Sequence, residues 1–154
     1  MMNEILNLLN LYVSNNQRIN QQIKQVEAAT DDQQLKTIIA DMQPKELQVI
    51  GLFEINTEVS LKELPQLLAV SQASTSRITA NLEKLQLITR HKTELNNKEW
   101  LLDLTETGQK ILAIKKSTDE KRQAKLNDLA KDYSQTDLQQ ITDFLRKVVK
   151  VDQS

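Results

Sequence analysis

There is no cysteine in the 154-residue chain, which excludes a disulfide framework, a thiol redox sensor and thiolate metal sites. Glycine and proline occur only twice each. With abundant Leu, Ile, Gln, Lys and Glu, that scarcity points to a mainly helical fold. Aromatic residues make up 3% of the chain, so the core must be aliphatic. No apolar run reaches the ~18 residues of a membrane span. The N-terminus also lacks the basic-then-apolar pattern of an export signal. No membrane partner and a cytoplasmic location are therefore expected. Histidine occurs once, as His91, and one histidine cannot supply a zinc-sensing cluster. Nor is there a nucleophile–base pair, a Gly-rich phosphate loop or metal-ligand spacing. Neither catalysis, a cofactor nor a metal is expected.

The stretch that organises the chain is 64–90. A helix over 71–85 is predicted, with Ser71 as N-cap. Thr75, Ile78, Leu82 and Leu85 form its buried stripe at three- and four-residue spacing. Gln72, Ala73, Ser76, Arg77 and Ala80 lie opposite, a small, polar and cationic face without a carboxylate. Such a face suits the second helix of a helix-turn-helix; it is equally the pattern of an ordinary solvated face. The formal net charge is −1, but between residues 71 and 98 five cations (Arg77, Lys84, Arg90, Lys92, Lys98) meet two carboxylates (Glu83, Glu94), a local surplus of +3. Phosphate responds to that local surface.

Taken in order, residues 3–29 carry a four-three apolar stripe (Ile5, Leu9, Tyr12, Ile19, Ile23, Val26) broken by Asn16. Leu6, Leu8, Leu11 and Val13 widen its first half. A helix apolar on several sides needs partners. Self-association with Asn16 setting register and packing within one monomer are the two readings. Leu35, Ile38, Ile39 and Met42 mark a second short helix. Pro44 opens a third that runs through Leu47, Val49, Ile50, Leu52, Phe53 and Ile55. Ser60 and Glu63 fit a capping box, yet Pro65 requires a distorted first turn or a helix start near Leu64. Beyond Leu85 the period changes to 2, and strands over 87–94 and 98–104 flank Asn96-Asn97, a tight-turn pair. Thr105 caps the next helix, with Gly108 in its first turn. The middle of that helix is polar before Leu126, Leu129 and Tyr133. After a break at 134–137 the last helix carries Leu138, Ile141, Phe144, Leu145, Val148 and Val149. Both ends of the chain thus present excess apolar surface, a pattern that suits a helical dimer platform.

The run LKELPQLLAVSQASTSRITANLEKLQLITR, followed by a hairpin and LLDLTETGQKIL, resembles the MarR family of winged helix-turn-helix repressors. The likeness covers 44–112 by motif. Its most specific pieces are Ser76-Arg77 with Leu82-Glu83, Leu87-Ile88-Thr89-Arg90, and Leu104-Thr105 with Gly108.

The resemblance implies a mainly α fold with one small β-hairpin. Helical dimerisation segments occupy 1–43 and 109–154, and a winged DNA-binding domain occupies 44–108. It further implies a homodimer on a pseudo-palindromic DNA operator, acting as a regulator of transcription. Gln72, Ser74, Ser76 and Arg77 would face the groove. Ser71, Lys84, Arg90, Lys92 and Lys98 would meet phosphates, and Asn96, Asn97 and Lys98 would form the wing tip. The dimer would be held by Ile5, Leu9, Tyr12, Leu138, Ile141, Leu145 and Val148. A small amphipathic effector would occupy a crevice lined by Tyr12, Met42, Phe53 and Ile111, residues that also read as plain core. His91 would lie near phosphate or in solvent. Two departures stand out: the wing lacks the family's Asp-x-Arg pair, and Gln86 replaces the usual glycine after the recognition helix. The rival reading is a winged-helix protein-interaction module with weak or no DNA binding.

Overall fold

A computed structural model of the chain describes residues 1–14, 16–93, 95 and 98–154, without the side chains of residues 13–20. The chain forms two compact units, Met1–Thr118 and Asp119–Ser154. In the first, α1 (Met2–Ser14) and α2 (Asn16–Ala28) occupy the first periodic segment. The side chain of Asn16, the expected register residue, lies outside the described residues. Asp32 caps α3 (Gln33–Ala40), its side chain accepting from the backbone N–H groups of Gln34 and Leu35.

As expected, Pro44 sits in the first turn of α4 (Pro44–Gly51). The expected continuation to Ile55 does not hold. After Gly51 the chain tightens into a 3₁₀ turn over Leu52–Glu54, and Ile55 is 91% exposed. Three residues per turn instead of 3.6 carries the following side chain off the buried stripe.

The Ser60–Glu63 capping box is also absent. Ser60 instead ends a two-residue strand, β1 (Val59–Ser60), and its hydroxyl donates to Glu99 Oε1 at 2.5 Å. A 3₁₀ turn at Leu61–Glu63 leads into α5 (Leu64–Leu68), which places Pro65 in a first turn where its missing N–H is harmless.

Next come α6 (Gln72–Lys84), β2 (Ile88–Lys92), β3 (Trp100–Leu104) and α7 (Glu106–Ala130). The sheet is antiparallel in the order β1–β3–β2, so the hairpin gains a third strand that no period-2 pattern announces. Val59 stands opposite Leu102, and Arg90 opposite Leu102 on the other side. The face bearing Val59, Leu102 and Ile88 is buried. It closes an aliphatic core with Val26, Ile39, Leu47, Ile50, Leu64, Leu82 and Ile111, each contributing roughly 1.5–3 kcal/mol by burial.

The junction after α6 is tightly built. Gln86 is left-handed at φ 59°. Its carbonyl accepts from the Thr105 hydroxyl at 2.7 Å, and the Leu87 carbonyl accepts from the Thr105 N–H at 3.0 Å. The same hydroxyl caps α7 by accepting from Gly108 N–H at 3.0 Å. A Cβ on Gly108 would lie 2.2 Å from the Leu87 carbonyl oxygen. Glycine there is thus required by close approach, beyond merely being tolerated in a first turn.

In the second unit, Ser134 and Asp137 form a reciprocal capping box at the start of α8 (Gln135–Gln153). Hydrogen bonding from Ser134, through its side chain first and its backbone second, lowers the Asp137 carboxyl below its ordinary value of 3.8. That stabilisation is present above the ordinary value and is lost as pH falls through the lowered one. None of the residues from Asp119 to Ser154 is buried.

Two substitutions test the junction by chemical denaturation. Gly108→Ala should destabilise the chain by about 1–3 kcal/mol or more, because the Leu87 backbone must move. Gln86→Gly should stabilise it by about 0.5–1 kcal/mol, relieving the left-handed conformation at some cost in chain entropy.

Candidate nucleic-acid interface

The first helix of the pair, α5, ends because Ala69 turns left-handed at φ 53° and Val70 N–H bonds back to the Pro65 carbonyl at 3.0 Å. That cap reverses the chain, and Ser71 immediately caps α6 by accepting from Ser74 N–H at 3.1 Å. Thr75, Thr79 and Leu82 are the buried residues of α6, and Ile78 and Leu85 pack partly against the core. Buried Thr79 was not anticipated; its hydroxyl satisfies itself on the Thr75 carbonyl at 3.0 Å.

Gln72, Ala73, Ser76, Arg77, Ala80 and Lys84 are exposed. Arg77 and Lys84, seven residues apart, share one face. Ser74 is half-buried, and its hydroxyl lies 3.0 Å from that of Ser71 and 3.3 Å from Arg77 Nη2. Ser74 therefore steers the Arg77 guanidinium along the helix.

What sets α6 against α4 is a polar contact that periodicity did not reveal. Glu46 is 3% exposed. One carboxylate oxygen accepts from Asn81 Nδ2 at 2.6 Å and the other from Gln43 N–H at 3.0 Å. A buried carboxylate satisfied in this way fixes the roll and position of α6. Glu46 does not stand out in the sequence; its only signal there is its place three residues after Gln43, at the helix start.

In the wing, β2 and β3 pair in register from Ile88 opposite Leu104 to Lys92 opposite Trp100. Arg90, expected at phosphate, is paired with Glu83 of α6 and lies 5.8 Å from the Trp100 ring centre. Its charge is spent on joining helix to wing. The Lys92 ammonium stands 4.7 Å from the same ring, a cation–π contact that orients it. Lys98 is exposed, and Asn96 and Asn97 lie outside the described residues. Between the start of α6 and the base of the wing is a cleft of about 480 Å³, lined by Gln72, Thr75, Ser76, Lys62, Lys98 and Trp100 among others. Lys62 was missed because only the tertiary fold carries it to the recognition helix.

The remaining expected residues differ in burial. Met42, Phe53 and Ile111 are core residues at 3%, 7% and 0% exposure, whereas Tyr12 is 56% exposed. The cleft beside α6 is lined by none of these four. Ile5, Leu9, Leu138 and Val148 are half-buried, and Ile141 and Leu145 are exposed. Asn81→Ala should strip the buried Glu46 carboxylate of a partner and lower unfolding stability by about 1–3 kcal/mol. A denaturation midpoint unchanged from wild type would remove Glu46–Asn81 as the anchor of α6.

No protein-family model matches the sequence. An uncharacterized HTH-type transcriptional regulator, YvnA, from Bacillus subtilis is 28% identical over 105 residues, covering 68% of this chain and 67% of that protein. Among solved structures, the adhesin competence repressor AdcR from Streptococcus pyogenes superposes with a TM-score of 0.69 at 14% identity, over 99% of this chain and 98% of that one. Lactococcus lactis ZitR, a zinc-responsive MarR family member, superposes in its DNA complex with a TM-score of 0.64 at 15% identity, over 71% of this chain and 75% of ZitR. The order of helices, the capped α6 and the hairpin beyond it agree with these likenesses: this chain has the winged helix-turn-helix fold of the MarR-family regulators.

Proposed function

We propose that the chain is a MarR-family regulator of transcription that binds double-stranded DNA in a sequence-specific manner, acting as a homodimer and a repressor. The observation that carries this reading is the outer face of α6: Gln72, Ser76, Arg77 and Lys84 are exposed on a helix held from behind by Glu46 and Asn81. With no carboxylate among them, that face can lie in a major groove. Arg77 and Gln72 would meet base edges, while Ser71, Lys84, Lys92 and Lys98 would meet phosphates. That ZitR has been solved with DNA and that AdcR is a repressor support the reading by likeness of fold.

Self-association is supported by the ends of the chain. Leu6, Leu8, Leu11 and Tyr12 of α1 are 46–59% exposed, and Ile141, Leu145 and Val149 of α8 are 42–52% exposed. Apolar helix surface of that extent is covered in a stable protein, and a second copy of the chain supplies the same surfaces. Two copies place two recognition helices on a symmetry axis, which demands a pseudo-palindromic operator. A small amphipathic effector that alters their spacing would relieve repression. Because Met42, Phe53 and Ile111 are packed as core, its crevice would need other walls.

A second reading is favoured by one observation. Glu83 neutralises the wing's Arg90, which suits a winged-helix protein-interaction module. Footprinting on the DNA upstream of the protein's own coding region, repeated across salt concentrations, separates the two. A DNA regulator shows a protected palindrome and a steep fall in affinity with salt. Arg77→Ala should then cost about 1–3 kcal/mol of binding, roughly 5–150-fold, and Lys84→Ala should flatten the salt slope by about one phosphate contact. An interaction module shows neither protection nor slope. Leu145→Asp should shift the chain toward monomer in analytical ultracentrifugation and weaken DNA binding in parallel.

A further inference from the structure

Away from α6, on the face of the sheet opposite the core, three side chains from two strands and the segment before a third converge. Glu58 immediately precedes β1, His91 lies in β2 and Asp103 in β3. The register accounts for the meeting. Val59 pairs with Leu102, so Glu58 falls beside Asp103, and His91 opposite Leu101 stands one diagonal step from Asp103 on the same face. His91 Nδ1 is 2.8 Å from Asp103 Oδ2, and His91 Nε2 is 3.6 Å from Glu58 Oε1. One donor atom from each of the three residues fits within a mutual 4.8 Å.

These two distances differ in kind. At 2.8 Å the Asp103 carboxylate is at hydrogen-bonding range of Nδ1, the partner that a metal-ligating histidine characteristically has behind it. At 3.6 Å the Glu58 oxygen is beyond normal hydrogen-bonding range of Nε2. Two ligands each ~2.1 Å from a tetrahedral ion stand about 3.4 Å apart, so the observed gap is close to the separation of two ligands on one cation. Side-chain exposures of 49%, 39% and 36% for Glu58, His91 and Asp103 leave room for water to complete the coordination. The donors are one imidazole and carboxylate oxygen, without thiolate, a set that suits Zn²⁺, Co²⁺ or Mn²⁺.

We propose that Glu58, His91 and Asp103 form a divalent transition-metal site on the outer face of the wing sheet, with His91 Nε2 and the Glu58 carboxylate as ligands and Asp103 as the residue that orients the imidazole. The ion ties the segment leading into the helix-turn-helix to the hairpin that forms the wing. This differs from the sequence expectation of no metal, because a single histidine makes a site only when strand pairing brings two distant carboxylates to it. The site stands independently of the DNA-binding reading, since it lies on the sheet face away from the core and draws on no residue of α6.

Its test uses the full, tag-free chain after chelator treatment, titrated with Co²⁺ by visible absorption and with Zn²⁺ and Mn²⁺ by calorimetry. One ion per chain is expected, together with a rise in Tm when the metal is present. His91→Ala and Glu58→Gln should each abolish both signals, while circular dichroism confirms the fold of each variant. Asp103→Asn should keep the stoichiometry at one ion but weaken affinity by about 10–100-fold. Absence of saturable binding by all three ions would overturn the proposal. So would binding that survives His91→Ala and Glu58→Gln, which would place the ion elsewhere.

Discussion

The structure depends on one crowded meeting of backbones, where the end of α6, the start of β2, the end of β3 and the start of α7 come together. Two successive carbonyls, of Gln86 and Leu87, accept from Thr105, and Gly108 lies so close to Leu87 that no side chain fits between. Four elements share those contacts, so moving any one of them moves the others. The recognition helix ends where it does because Gln86 turns left-handed there, and the wing begins at once because Leu87 and Ile88 are buried. A side chain at Gln86 holds this left-handed geometry at an energetic cost of about 1–2 kcal/mol. The surrounding hydrogen bonds over-determine the conformation.

A second constraint is electrostatic. The chain is close to neutral overall, yet the outer face of α6 carries cations without carboxylates. The acid that could spoil this, Glu83, is held by Arg90. That pair neutralises Glu83 on the helix, and it leaves Arg90 without free charge. Surface ion pairs of this kind contribute little stability. The consequence here is one of placement: helix and wing are joined, and Trp100 orients the Lys92 ammonium.

The second unit has no buried core of its own. From Asp119 to Ser154 nothing is buried, although α8 begins with a fully formed capping box. Local hydrogen bonds can nucleate a helix, but lasting stability comes from covering its apolar face. The exposed stripe on α8 and the one on α1 thus share a physical need, even though each belongs to a different unit.

Much of this was legible in the residues themselves. Caps at Ser71 and Thr105, Pro44 in a first turn, the 3.6-residue stripe of α6 and the change to period 2 beyond it are local rules, acting through near neighbours in the chain. For that reason the helix-turn-helix and the hairpin were recoverable, as was the face presented by α6. Contacts between distant segments were not. Strand β1 is too short to show alternation, and Ser60 looked like a cap until Glu99 claimed its hydroxyl. Glu46 carried no sign of its pairing with Asn81, and Arg90, expected at phosphate, is paired with Glu83. His91 seemed solitary until strand register set Asp103 and Glu58 beside it. Periodicity and capping determine which side of each element must be covered, because those depend on residues a turn or less apart. Which polar groups then meet was decided only by tertiary packing, since a pairing across tens of residues leaves no regular spacing in the chain.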